Sequence, residues 1–263
     1  MGHKLSSISN FQTEVVDRYK DEKDTFFLDL GDGCDLILGQ THDPRFKASM
    51  VDSAYVGIDN PVDHLINDYC DLMSPIKDRI ISMVDSNHHL ELMKRTGTNV
   101  TRRIAEKIWG DKIANNGIGA RLHSYAGYLR VCFSYLKSGG HARSQTLYLS
   151  HGVGTGGRTL GGPITSLANV ARGRDADIFI FAHNHQLSST DNLYLAMNSD
   201  CNIVSRKEII INSGCYKKSR SDNQDTSWEE QKEFAPNAMG HMELHIQQEA
   251  RGTNVYTIKR MIL

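Results

Sequence analysis

The hydrophobic pattern opens with a helix, continues as strands alternating with helices, and ends mostly in strands. From Ile8 to Lys20, Ile8, Phe11, Val15, Val16 and Tyr19 recur on one helical face, with Ser6 or Ser7 placed to cap it. Thr25 to Leu30 (TFFLDL) has strand character and ends in Gly31-Asp32-Gly33-Cys34-Asp35. Phe46 to Val56 has the spacing of a loose helix. Pro61 starts a clearer one, with Val62, Leu65, Ile66, Tyr69 and Met73 at helical spacing, and Pro75 stops it. Arg79 to Val84 (RIISMV) reads as a buried strand. It runs into Asp85-Ser86-Asn87-His88-His89 and a helical stretch through Trp109.

Tyr128 to Leu136 and Gln145 to Leu149 read as strands parted by a turn at Gly139-Gly140. The second leads into Ser150-His151-Gly152, a glycine-rich segment to Gly162, and a helix from Pro163 to Arg172. Asp177 to Phe181 is a short apolar strand that runs straight into His183-Asn184-His185. Asn202 to Asn212 and Met239 to Ile246 alternate like strands of a second sheet, with Lys217 to Pro236 as a long polar surface loop between them. Val255 to Leu263 closes the chain as a strand. This alternation predicts one layered α/β domain over residues 1–263 rather than two separate domains.

Composition narrows the class without naming a function. The chain has 263 residues, 39% hydrophobic and 23% charged, as in a globular protein with a substantial core. No apolar stretch nears the roughly 18 residues of a membrane span, and residues 1–10 lack the apolar centre of a signal peptide. The five cysteines are scattered, with no CxxC pair, which predicts reduced thiols, a cytoplasmic location and no thiolate zinc site. A net charge of −1 provides no overall drive towards nucleic acid. Lys217, Lys218 and Arg220 form a small basic cluster that reads as a solvated face or a contact for a phosphodiester backbone.

Candidate chemistry gathers where strands end. In open α/β sheets ligands collect past the carboxyl ends of strands, and four such ends carry Asp32, Asn87-His88, His151 and His183-x-His185. Together they offer carboxylate, amide and imidazole, a donor set suited to Mn, Fe or Zn. His42, His64, His123, His141, His241 and His245 have no motif around them and read as structural or surface residues.

In this order, Gly31-Asp32-x-x-Asp35, Asn87-His88, His151-Gly152 and His183-x-His185 resemble the calcineurin-like metallophosphoesterase family. Its blocks are D-x-H, G-D-x-x-D, G-N-H-[DE], H-G and G-H-x-H. The resemblance implies a four-layer αββα sandwich of two mixed sheets and phosphate-ester hydrolysis by in-line attack of a metal-bound water. It implies two divalent metal ions, with Mn first and Fe or Zn as alternatives. Asp32 would bridge both ions, Asn87, His151 and His183 would hold one, and His185 the other. His88 matches the histidine that contacts phosphate and protonates the leaving oxygen, and Asp35 is expected to orient a ligand. Ser86, His89 and Ala182 replace family residues. The D-x-H block has no counterpart, which leads to the expectation that it lies upstream of Met1 and that the second ion is held weakly. The substrate is expected to be a phosphate ester, with nucleic acid among the candidates and no membrane partner.

Two other readings stay open. Gly152, Gly154 and Gly157 satisfy G-x-G-x-x-G, with Asp175 or Asp177 at a distance suited to a ribose and Arg158 where a phosphate-binding loop needs lysine. Gly161-Gly162-Pro163 delays the following helix, so bound phosphates would lose its N-terminal dipole. The remaining reading is a catalytically impaired binding protein on the same fold.

Overall fold

The computed structural model describes residues 1–37, 50–110, 121–133, 143–154, 159, 161–220, 227–231, 233–248 and 254–263. The chain divides into two compact units, residues 1–127 with 216–236 and residues 128–215 with 237–263. The α/β class is as expected: two sheets of parallel or mixed strands, with helices between consecutive parallel strands.

The first unit begins with α1 (Ile8–Phe11), which continues as a π-helical turn over Gln12–Asp17, so the expected amphipathic helix is present but widened. Ser7 takes the N-cap position without a side-chain capping bond. The loose helix expected from Phe46 survives as one 3₁₀ turn, Ser53–Tyr55, while residues 46–49 lie outside the described residues. Helix α2 (Pro61–Met73) buries the expected face, Leu65, Ile66, Tyr69 and Met73, and runs into a 3₁₀ turn at Ser74–Arg79. The single helix expected through Trp109 is two. Gly97 adopts φ +73° and ends α3 (Asn87–Thr96), and Asn99 Oδ1 then caps α4 (Val100–Trp109) through Arg102 N.

Strands β1 (Phe27–Asp29), β2 (Ile80–Val84) and β3 (Arg121–His123) form a sheet in which both pairings are parallel. Their shared direction brings the carboxyl ends of β1 and β2 to one edge. The core beneath joins Leu65, Ile66 and Met73 of α2 to Met83 of β2 and to Ile104, Ile108 and Trp109 of α4, and Trp109 Nε1 donates to Ile80 O at 2.9 Å.

The second unit is built on a five-stranded sheet ordered β4 (Ala126–Phe133), β5 (Arg143–Ser150), β6 (Ile178–Phe181), β8 (Ile203–Ser213) and β7 (Leu187–Met197). Strands β5, β6 and β8 are parallel, and β7 returns antiparallel at the edge. Helix α5 (Gly162–Ala171) makes the crossover from β5 to β6 and buries Leu167 and Ala171. Every residue of β6 is buried, as its unbroken apolar run requires. The sequence pattern groups the strand at Asn202 with Met239 to Ile246 in a second sheet. That strand is instead β8, paired with β6, because a parallel partner buried on both faces continues the same core. Strands β9 (Gly240–Gln248) and β10 (Asn254–Ile262) pair as an antiparallel hairpin of their own. The expected turn at Gly139-Gly140 lies outside the described residues.

The segment from Lys217 to Pro236 is not simply a polar surface loop. It belongs to the first unit, where Lys217 bridges to Ser6, and it carries α6 (Trp228–Gln231) with Ser227 and Glu229 buried. Among the described residues, no helix is long and apolar enough to cross a membrane.

Candidate metal and phosphate-ester site

In the first unit the chain leaves β1 through two consecutive left-handed residues, Gly31 at φ +86° and Asp32 at φ +58°. A non-glycine residue in this region carries strain that the surroundings must hold. Here Asp29 Oδ1 accepts from Gly31 N at 2.8 Å, Tyr69 Oη donates to Asp29 Oδ2 at 2.7 Å, and Met1 N donates to Gly33 O at 2.8 Å. Gly33 is required by packing, since a Cβ there would lie 2.5 Å from the Tyr69 ring. Nearby, burial and the Asp32 carboxylate push the Tyr125 phenol up to about 12.

At the end of β2, Ser86 caps α3 by accepting from His89 N at 3.3 Å, which places Asn87 and His88 in the first helical turn. Ser86 therefore has a structural task. His88 Nδ1 lies 3.0 Å from Asp35 Oδ1. Burial alone would raise the Asp35 carboxyl, but the His88 hydrogen bond and the charges of His88, His3 and Lys217 outweigh it and bring it to about 2. Asp35 is therefore ionised and orients the His88 ring. His3 is driven the other way, down to about 4, by burial and then by Lys217. His89 turns away from the strand end, and its Nδ1 lies 2.8 Å from Thr101 Oγ1 of α4, a support for the fold.

In the second unit β5 and β6 run parallel, so His151 and His183 leave the sheet at one edge. His151 is fully buried, and its Nε2 lies 3.2 Å from His183 Nδ1 with the rings edge to face at 69°. Two zinc–nitrogen bonds of about 2.0–2.1 Å at a tetrahedral angle would hold their nitrogens about 3.3 Å apart, so this pair fits one shared cation. Histidines 183 and 185 both adopt left-handed backbone, φ +70° and +60°. That turn is braced from behind: Asn184 N donates to Ala182 O at 2.9 Å, Asn184 Oδ1 accepts from Gln186 N at 3.3 Å, and Asn212 Nδ2 of β8 also donates to Asn184 Oδ1. The His185 carbonyl accepts from Cys215 Sγ at 3.8 Å.

Gly152 (φ +104°) passes so close to the turn that a Cβ would sit 2.7 Å from Ala182 O. Its lack of a side chain is thus explained by strand-end packing, without a nucleotide. Residues 155–158, the rest of the expected G-x-G-x-x-G loop, lie outside the described residues.

No protein-family model matches this chain, and no curated protein matches it. Among solved structures the chain is similar to Vps29. A double mutant of Vps29 from Entamoeba histolytica is 13% identical, over 75% of this chain and 89% of that one, with a TM-score of 0.30. The wild-type Entamoeba histolytica Vps29 complexed with zinc is 13% identical, over 69% and 82%, at 0.27. Chaetomium thermophilum Vps29 is 10% identical, over 74% and 85%, at 0.29. These values set no constraint on the chemistry of this chain.

Of the expected site residues, the first unit brings Asp35 to His88 and the second brings His151 to His183. His185 occupies the far end of the left-handed turn, outside the imidazole pair. The structure also sets the buried Asn184–Asn212 pair behind the His183–His185 turn, and the charges of His3 and Lys217 act on Asp35. Lys217 had read as part of a solvated basic cluster, but it lies 3.3 Å from Glu229 Oε1 and contributes to the field at Asp35.

Proposed function

We propose that this chain is a metal-dependent phosphoesterase acting on phosphomonoesters or phosphodiesters, with nucleotides and nucleic acid in the same substrate class. The observation that supports it most is the His151–His183 pair at adjacent parallel strand ends, 3.2 Å apart. In this reading the His151–His183 pair would hold one divalent ion, and the motif order would add Asp32 and Asn87 to its donors. By the same motif order Asp32 and His185 would be the donors to a second ion, and two donors would hold it weakly. The mixed oxygen and imidazole set suits Mn²⁺, with Fe or Zn next. Bound divalent ions would neutralise charge on the phosphoryl oxygens and acidify a water. His88, held by Asp35, donates the proton to the leaving oxygen. The free cysteines fit a cytoplasmic location.

The test is hydrolysis of a generic phosphomonoester and a generic phosphodiester by chelated and Mn²⁺-restored protein, with titration calorimetry on the same samples. The proposal expects Mn²⁺-dependent turnover of at least one ester, lost in His151→Ala together with the tight metal site. Tight Mn²⁺ binding without turnover of either ester would leave a binding protein on this fold. Absence of Mn²⁺, Fe²⁺ and Zn²⁺ binding would overturn the metal reading itself.

A further inference from the structure

The far end of the β7–β8 hairpin carries an apolar stripe unconnected with the chemistry above. In β7, Leu193, Leu195 and Met197 alternate onto one face, and Ile203 of β8 lies directly opposite Met197 on that face. These side chains are 71%, 74%, 68% and 77% exposed. Together they present on the order of 500 Å² of contiguous apolar surface, in the range of the largest patch on a typical monomer, which is often functional. Chemically the stripe is bounded at one end only. Asp191 and Lys207 share the face, and their 2.6 Å ion pair forms a polar border beside Leu193. Beyond Asp191, residues 192–198 of the edge strand carry no charge. Edge strands usually carry charge, proline or a bulge against association.

We propose that this face is the interface of a homodimer, with the stripe of one copy stacked on that of a second. Its pattern is self-complementary. A two-fold axis across Leu195 places Leu195 against its own copy, Leu193 against Met197 of the other and, by the same register, Ile203 against the aliphatic stem of Lys207 of the other, the reciprocal arrangement that a closed two-fold interface requires. The strands of the two hairpins would stack about 10 Å apart, as in a sandwich. Two such stripes bury about 1,000 Å², the lower bound for a specific interface. The border is compatible with self-association, since its charges are already paired and sum to zero, so a second copy meets no net like charge.

Sedimentation of the full chain up to about 100 µM, together with directed cross-linking, tests the proposal. The wild type is expected to form a concentration-dependent dimer, and Leu195→Lys to weaken it about tenfold or more with an unchanged far-UV spectrum. In a chain carrying Cys132→Ser and Cys201→Ser, Leu195→Cys should be joined into a covalent dimer by a bifunctional maleimide, whose spacer spans the roughly 10 Å between stacked strands that a direct disulfide cannot. Arg206→Cys, on the opposite face of the same hairpin, should not. A wild type that stays monomeric at the highest concentration overturns the proposal. So does a dimer indifferent to Leu195→Lys, or equal cross-linking from Arg206→Cys.

Discussion

Tyr69 on α2 donates its phenol proton to Asp29 Oδ2 at 2.7 Å, and the same carboxylate accepts from Gly31 N through its other oxygen. One ion–dipole arrangement therefore ties the core helix to the left-handed turn that presents Asp32. Burial, and then the charge of Asp29, push the phenol well above its ordinary range, so it remains a donor at any working pH.

Tyr69→Phe should cost about 1.5–3 kcal/mol, the range for a hydrogen bond to a charged group. A urea midpoint unchanged from wild type would show that Asp29 is satisfied without the phenol. The same variant should weaken Mn²⁺ binding, because the turn carrying Asp32 loses one of its supports.

Asn184→Ala is expected to destabilise the second unit by about 1–3 kcal/mol, since it leaves the fully buried Asn212 amide without its acceptor. The effect should extend to His183 and His185 on either side, and calorimetry with Zn²⁺ or Mn²⁺ should show weaker binding. Full stability with intact metal affinity would contradict the bracing role.

Gly152→Ala combines a left-handed φ with a Cβ 2.7 Å from a backbone oxygen, and neither atom can move cheaply. The variant should fold less stably and lose the tight metal site, because relief requires His151 and the Ala182–His183 segment to separate. Wild-type calorimetric metal binding would disprove this.

Acid should destabilise the protein in two successive windows. His3 is held near 4, against 6.5 in an unfolded chain, so its stabilising share is present above about 6.5 and is lost as pH falls towards 4. Asp35 is held near 2, against 3.8, so its share is lost between about 4 and 2. In both windows the unfolded chain binds more protons than the folded one. Thermal melts of His3→Gln should flatten the upper window alone, and those of Asp35→Asn the lower. A wild-type melting temperature that stays constant from pH 7 to 4 would refute the His3 assignment.

The strands that end in Asn87-His88 and His183-x-His185 were legible because β2 and β6, buried parallel strands, are written as nearly unbroken hydrophobic stretches. Strand β7 was not legible. Its residues are half-buried or exposed, and it forms only because β8 offers a register, so its sequence alone resembles a loop. Strand β3, at three residues, is too short to show a period. At the site, the histidines announced themselves by spacing, whereas Asn212 could not. Its partnership with Asn184 exists only because β8, rather than β7, lies next to β6. Lys217 was misread for the same reason, since its ion pair with Glu229 depends on how residues 216–236 fold back onto the first unit.

Parallel neighbours such as β5 and β6 cannot be joined by a tight turn, and here α5 spans the interval. The two imidazoles, 32 residues apart in sequence, meet only after that crossover has closed, and closing it costs chain entropy before the sheet repays it. The His151–His183 pair is thus a kinetic marker as well as a chemical one. During refolding, affinity for a divalent cation should emerge after helical signal is already present, at the rate at which the β5–α5–β6 crossover docks.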